Sequence, residues 1–113
     1  MTPEGKVKAK VNKALLPLKP FIWKFMAVQT GYGIPGLDYL LCVGGLFIAI
    51  ETKKKGGVLT ERQLDTKADI EAAGGVVFVV DDDASLNTAM LYIGGRVNAF
   101  KQRGANEDRT NQG

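Results

Sequence analysis

Gly44-Gly45 stands between two runs of β-prone residues, Tyr39-Leu40-Leu41-Cys42-Val43 and Leu46-Phe47-Ile48-Ala49-Ile50. Two glycines between such runs are a strong signal for a two-residue hairpin. A tight turn then fixes what surrounds it. Pairing counts outward symmetrically, from Val43 opposite Leu46 to Asp38 opposite Glu51. The Cβ atoms of that last pair would lie roughly 4.5–5.5 Å apart. Lys53, two residues past Glu51, shares its side of the strand. Two carboxylates and one ammonium therefore converge at the open end of the hairpin. Like charges placed opposite each other are destabilising. A divalent cation between them removes that cost, and Mg²⁺ takes a few carboxylates while keeping waters for chemistry. A turn one residue longer would shift the register and scatter the set.

The rest of the chain supplies a frame for this hairpin. Thr2 can cap a helix that Pro3 begins and that runs to about Leu16, with Val7, Val11 and Leu15 as a narrow apolar stripe. Pro17 and Pro20 end it. Residues 21–28 read as a strand, with Trp23 and Phe25 expected in the core, and 30–36 as a glycine-rich loop. Both faces of the hairpin are apolar, which predicts central strands buried on two sides, with Cys42 as a small buried thiol. Thr60-Glu61-Arg62-Gln63 is a capping box that opens a helix to about Ala73, and Gly74-Gly75 stops it. Residues 76–80 form a short apolar strand expected inside the sheet. Asp81-Asp82-Asp83 resembles a metal cluster, but consecutive residues point apart and helix capping explains them. A last helix covers Ala84 to about Tyr92, with Leu86, Met90 and Leu91 as its apolar side. From Gly94 onward the polar, Gly/Asn/Arg-rich sequence predicts a fraying tail. The order is αβββαβα, an α/β fold. The helix between the hairpin and the last strand is a crossover, so the small sheet should be mixed and flanked by helices.

Composition removes several chemistries. The chain of 113 residues contains no histidine. That excludes Ser-His-Asp and Cys-His catalysis and His-ligated zinc. Acid–base chemistry falls to carboxylates, lysine or metal-activated water. One cysteine allows no intrachain disulfide and suits a reducing interior. Neither a secretory signal nor a membrane span is legible: the longest uncharged run, Tyr39 to Ile50, falls short of the roughly 20 residues a span needs. The expectation is an intracellular, cytoplasmic protein with no membrane partner. Lys6, Lys8, Lys10, Lys13, Lys19 and Lys24 face only Glu4 between residues 4 and 24. A solvated helix face explains such a run as well as a polyanionic partner does.

The stretches Gly33-Ile34-Pro35-Gly36-Leu37-Asp38, Phe47-Ile48-Ala49-Ile50-Glu51-Thr52-Lys53, Gly57-Val58-Leu59-Thr60-Glu61-Arg62-Gln63 and Ala73-Gly74-Gly75-Val76-Val77-Phe78-Val79-Val80 carry a resemblance. In order and spacing they are similar to the virus-type replication–repair nuclease (VRR-NUC) domain of the PD-(D/E)xK superfamily, in its small stand-alone phage form. The likeness covers most of residues 4–91. It implies a restriction-endonuclease-like αβββαβα core over residues 1–93 and a polar tail over 94–113. The implied activity is a metal-dependent endonuclease that hydrolyses DNA phosphodiester bonds, selective for branched DNA such as Holliday junctions and acting as a homodimer. By the same resemblance, Asp38 and Glu51 would bind one or two Mg²⁺ or Mn²⁺ with help from the Thr52 carbonyl. Lys53 would position or activate the attacking water and neutralise the phosphate. Gln63 matches the motif glutamine, and Glu4 matches an acid on the first helix that can reach the metals.

One departure bears on the site. The family pattern places proline directly before the metal-binding aspartate, whereas here Pro35 is followed by Gly36-Leu37-Asp38. The hairpin register assigns Asp38, because Gly36 would pair beyond Glu51 and has no ligand to offer. Simpler roles exist for several of these residues. Gln63 and Glu4 are both favoured at helix starts whether or not a site is present, and Lys54 and Lys55 suit either a solvated turn or a phosphate contact. The rival reading is a non-catalytic nucleic-acid-binding module of the same fold.

Overall fold

The computed structural model describes residues 1–26 and 37–111, with side chains up to residue 105. The loop expected over 30–36, with its displaced proline, lies outside the described residues. Helix α1 (Pro3–Leu15) starts where Thr2 accepts a hydrogen bond from the Gly5 amide at 3.0 Å, and Pro3 occupies the first turn. A 3-10 turn, Leu16–Leu18, follows it. Strands β1 (Ile22–Phe25), β2 (Tyr39–Val43), β3 (Leu46–Thr52) and β4 (Val76–Val80) form one sheet in the order β1-β2-β3-β4. The first two pairings are antiparallel, and β4 joins β3 in parallel, as a crossover through α2 (Glu61–Ala72) requires. The sheet is mixed, as expected. Among the described residues no helix is long and apolar enough to cross a membrane.

The hairpin turn is the tight one. Val43 pairs with Leu46 and Tyr39 with Ile50, so pairing counts outward from Gly44-Gly45 without a slip. Gly44 and Gly45 have φ of +56° and +83°, left-handed values that only glycine takes without strain. A Cβ on Gly44 would also stand 2.9 Å from the Phe100 Cβ.

The core lies on one side of the sheet. Tyr39, Leu41, Val43, Ile48 and Ile50 meet Val11 and Leu15 of α1 and Ala89, Ile93 and Val97 of α3 (Asp83–Asn111). On the other side, among the described residues, only α2 packs, chiefly over β4, and none of its residues is fully buried. Two expectations fail for this reason, and a third, β4 inside the sheet, fails on the strand order. Trp23 and Phe25 are not core: they are 64% and 48% exposed and stack on each other with centroids 6.1 Å apart. Cys42 and Phe47 are exposed on the same face. Strand β4 is an edge strand, and its unbroken apolar run reflects helices on both its faces.

The expected fraying after Gly94 is also corrected. Helix α3 runs through to Asn111. Gly94 and Gly95 each weaken a helix by about 1 kcal/mol against alanine. However, Ala89, Ile93 and Val97 recur every fourth residue across them and are buried, and Phe100 packs on the hairpin turn. Tertiary packing outweighs local propensity there. Leu91, read as part of the apolar side, is instead 79% exposed.

Candidate active site

The end of the hairpin opposite its turn is where the sequence placed chemistry, and the register carries Asp38 and Glu51 there. Asp38 stands just before β2, and Glu51 is 1% exposed near the end of β3. Asp38 Oδ2 accepts two hydrogen bonds from one residue, the Thr52 amide at 2.9 Å and the Thr52 hydroxyl at 2.5 Å. Its other oxygen, Oδ1, faces the Lys8 ammonium at 3.6 Å. Burial pushes the Asp38 carboxyl up, but the Thr52 donors, a hydrogen bond from Glu51 and the Lys8 charge outweigh it and hold the group below its ordinary value. Glu51 behaves in the opposite way. Burial, its hydrogen bond to Asp38, the Asp38 charge and the more distant charge of Glu4 raise it to about 8, against the pull of Lys53. At neutral pH the pair therefore holds one proton, on Glu51, and one negative charge, on Asp38.

Gln63 serves two neighbours at once. Its Oε1 accepts from the Thr60 amide at 3.0 Å while its own amide donates to Thr60 Oγ1 at 3.2 Å, which is the capping box at the start of α2. Its Nε2 donates to Glu51 Oε2 at 3.2 Å. Lys53 continues the β3–β4 pairing through its amide, 2.9 Å from the Val80 carbonyl, and its side chain is half-buried beside the pair. Glu4 and Lys53 make no hydrogen bond to the carboxylates and act on Glu51 through charge.

Two neighbours of the pair were not legible as such. Tyr39 reads as a β-strand aromatic, yet its buried hydroxyl lies 3.2 Å from the Lys8 carbonyl oxygen and 3.1 Å from Asn12 Oδ1. Burial and then the Asp38 charge raise that phenol to about 12, so it is a donor throughout. Lys8 was hidden in a run of lysines. The signal that finds it is its position on α1, one turn after Glu4 and on the side of Val11 and Leu15. The triple aspartate lies elsewhere and is structural. Asp81 accepts from the Gly56 amide, Asp82 caps Ser85 and pairs with Lys55, and Asp83 pairs with Lys10. Lys54 stays exposed.

No protein-family model and no curated protein match this sequence. Among solved structures, one described as "VRR_NUC domain" superposes with a TM-score of 0.63 at 20% identity, over 78% of this chain and 94% of that chain. The chain has the fold of a VRR-NUC domain. It has the small mixed sheet and three flanking helices expected from the αβββαβα order.

The donor set of this VRR-NUC fold suits a hard divalent cation. Among the described residues no group of three or more His, Cys, Asp or Glu is gathered, so the carboxylates are a pair and not a closed cage. Every oxygen they offer is hard, and two carboxyls that retain a proton between them are what a buried acidic pair does without a cation.

Proposed function

We propose that this protein is a Mg²⁺- or Mn²⁺-dependent endonuclease that hydrolyses DNA phosphodiester bonds. The observation that carries the reading is the buried Asp38–Glu51 pair, sharing one proton, with Lys53 beside it on a VRR-NUC fold. Asp38 and Glu51 would hold the cation, with the Thr52 carbonyl as a further oxygen and Glu4 adding negative charge from α1. When bound, such a cation polarises phosphoryl oxygens and makes water nucleophilic at neutral pH. The protein's own groups do the rest. Thr52 fixes the orientation of Asp38 through two hydrogen bonds, Gln63 fixes that of Glu51, and Lys53 brings an ammonium to the scissile phosphate and the attacking water.

The substrate reading is branched DNA such as a Holliday junction, cut by a homodimer. One chain presents one site, symmetric cleavage needs two, and a two-fold dimer supplies them. The exposed Trp23, Phe25 and Phe47 are apolar surface of the kind that association between copies covers. The deciding experiment is incubation with labelled junction, duplex and single-stranded DNA over a range of Mg²⁺ and Mn²⁺. Cleavage is expected, highest on the junction, and lost in Glu51→Gln and Asp38→Asn. Absence of cleavage at every cation concentration would overturn the assignment in favour of a non-catalytic DNA-binding module, and full activity in Glu51→Gln would remove the Asp38–Glu51 pair as the cleaving site.

A further inference from the structure

The Lys8 ammonium reaches Asp38 Oδ1 at 3.6 Å, and that oxygen is the one Thr52 leaves free. Whatever else approaches Asp38 must therefore deal with Lys8. The placement is built into the fold. Tyr39, the residue after Asp38, sends its buried hydroxyl to the Lys8 carbonyl, 3.2 Å away, and to Asn12 Oδ1, 3.1 Å away. Lys24 Nζ donates to the same Asn12 oxygen at 3.3 Å. Helix α1 is thus pinned to β2 at the turn that carries Lys8. The Lys8 side chain itself is 39% exposed, against 11% for that of Asp38. Its root is fixed and its tip is free to leave.

We propose that Lys8 is an internal counter-ion of the carboxylate pair. It neutralises Asp38 through Oδ1 when no divalent cation is present. It gives up that oxygen when a cation binds, and then contacts a phosphate of bound DNA. The proposal rests on the metal-dependent nuclease reading. Its physical basis is competition: an ammonium and a divalent cation repel each other, and only one can take Oδ1 at close range. Lysine suits the exchange, being a compact charge on a flexible four-carbon stem. With Asp38 taken by the cation, the part-exposed Lys8 ammonium is available to a phosphate of bound DNA. Lys8 is a positioning residue for the empty site and a contact residue for the filled one.

The test compares the wild type with Lys8→Met, which keeps the stem and removes the charge, and Lys8→Arg, which keeps the charge. Circular dichroism and thermal unfolding establish that both variants fold, as half-exposed substitutions should. Mn²⁺ binding without DNA is read by electron paramagnetic resonance of the free ion. Binding to a junction DNA in Ca²⁺ is read by fluorescence anisotropy across a salt series. Lys8→Met is expected to bind Mn²⁺ about three- to fivefold more tightly than wild type, the scale of a partly exposed ion pair, and Lys8→Arg like wild type. Lys8→Met is also expected to bind DNA more weakly, with a salt slope smaller by about one. Equal Mn²⁺ affinity in wild type and Lys8→Met overturns the counter-ion role. An unchanged salt slope overturns the phosphate contact. Failure of the wild type to bind Mn²⁺ at all is a different result, and it removes the metal reading and this proposal together.

Discussion

The protonated Glu51 makes the cation-free protein sensitive to pH in a definite direction. Its folded-state value, about 8, lies above its ordinary 4.5, so the folded protein binds the extra proton. Stability tied to Glu51 is fully present below about 4.5 and is lost as pH rises toward 8. Asp38 is lowered, so its contribution is present above its ordinary value and disappears on acidification. With EDTA present, the unfolding temperature is therefore expected to fall between pH 5 and pH 8, by an amount that reflects a few kcal/mol. Glu51→Gln, a neutral isostere of the protonated acid, should flatten that fall. A profile as steep in the variant as in wild type would place the titration elsewhere. Thr52 offers a second check. Thr52→Val removes a hydroxyl donor from a buried carboxylate and should cost about 1–3 kcal/mol in urea unfolding, whereas Thr52→Ser keeps the donor and most of the stability. At this scale the sequence was readable wherever a local rule set the geometry. The turn glycines put Asp38 opposite Glu51, and the capping box put Gln63 at a helix start. Tyr39 was not readable, because its partners are on another element and no spacing announces them, and Lys8 had only its place on the Val11–Leu15 side of α1 to set it apart from the other lysines.

Among the elements, α3 shows where pattern reading stopped too soon. Gly94-Gly95 and the polar residues beyond outweighed the Ala89–Ile93–Val97 spacing that crosses them, although that spacing was present in the sequence. A chain ending at Tyr92 loses two core side chains and the Phe100 contact with the hairpin turn. Comparison by urea unfolding with a chain ending at Ala105 should show the shorter one less stable by at least about 2 kcal/mol. Equal stability would mean that the second half of α3 contributes nothing. The misplaced β4 has a different cause. A run of five apolar residues shows that both faces are covered, but not whether a further strand lies beyond.

For the whole molecule, the sheet is covered unequally. Two helices protect one face and a single twelve-residue helix part of the other, which leaves Trp23, Phe25, Cys42 and Phe47 in solvent. Apolar periodicity in the strands is the same whether a helix of this chain or a second chain covers them, which is why these residues read as core. If the protein is the proposed dimer and buries this face, Trp23→Lys should sediment as a monomer where the wild type does not. Its thermal stability as a monomer should be little changed, because the side chain is 64% exposed. A wild-type monomer at working concentration counts against the dimer. The unequal covering also orders the strands by how readily they open. Among the described residues β1 is four residues long, bonded on one side only and half bare, whereas β3 has seven residues and a neighbour on each side. In amide hydrogen exchange β1 should lose protection first and β3 last. Glu51 and Thr52 ride on β3, so fluctuations that peel back the rim of the sheet leave the carboxylates aimed.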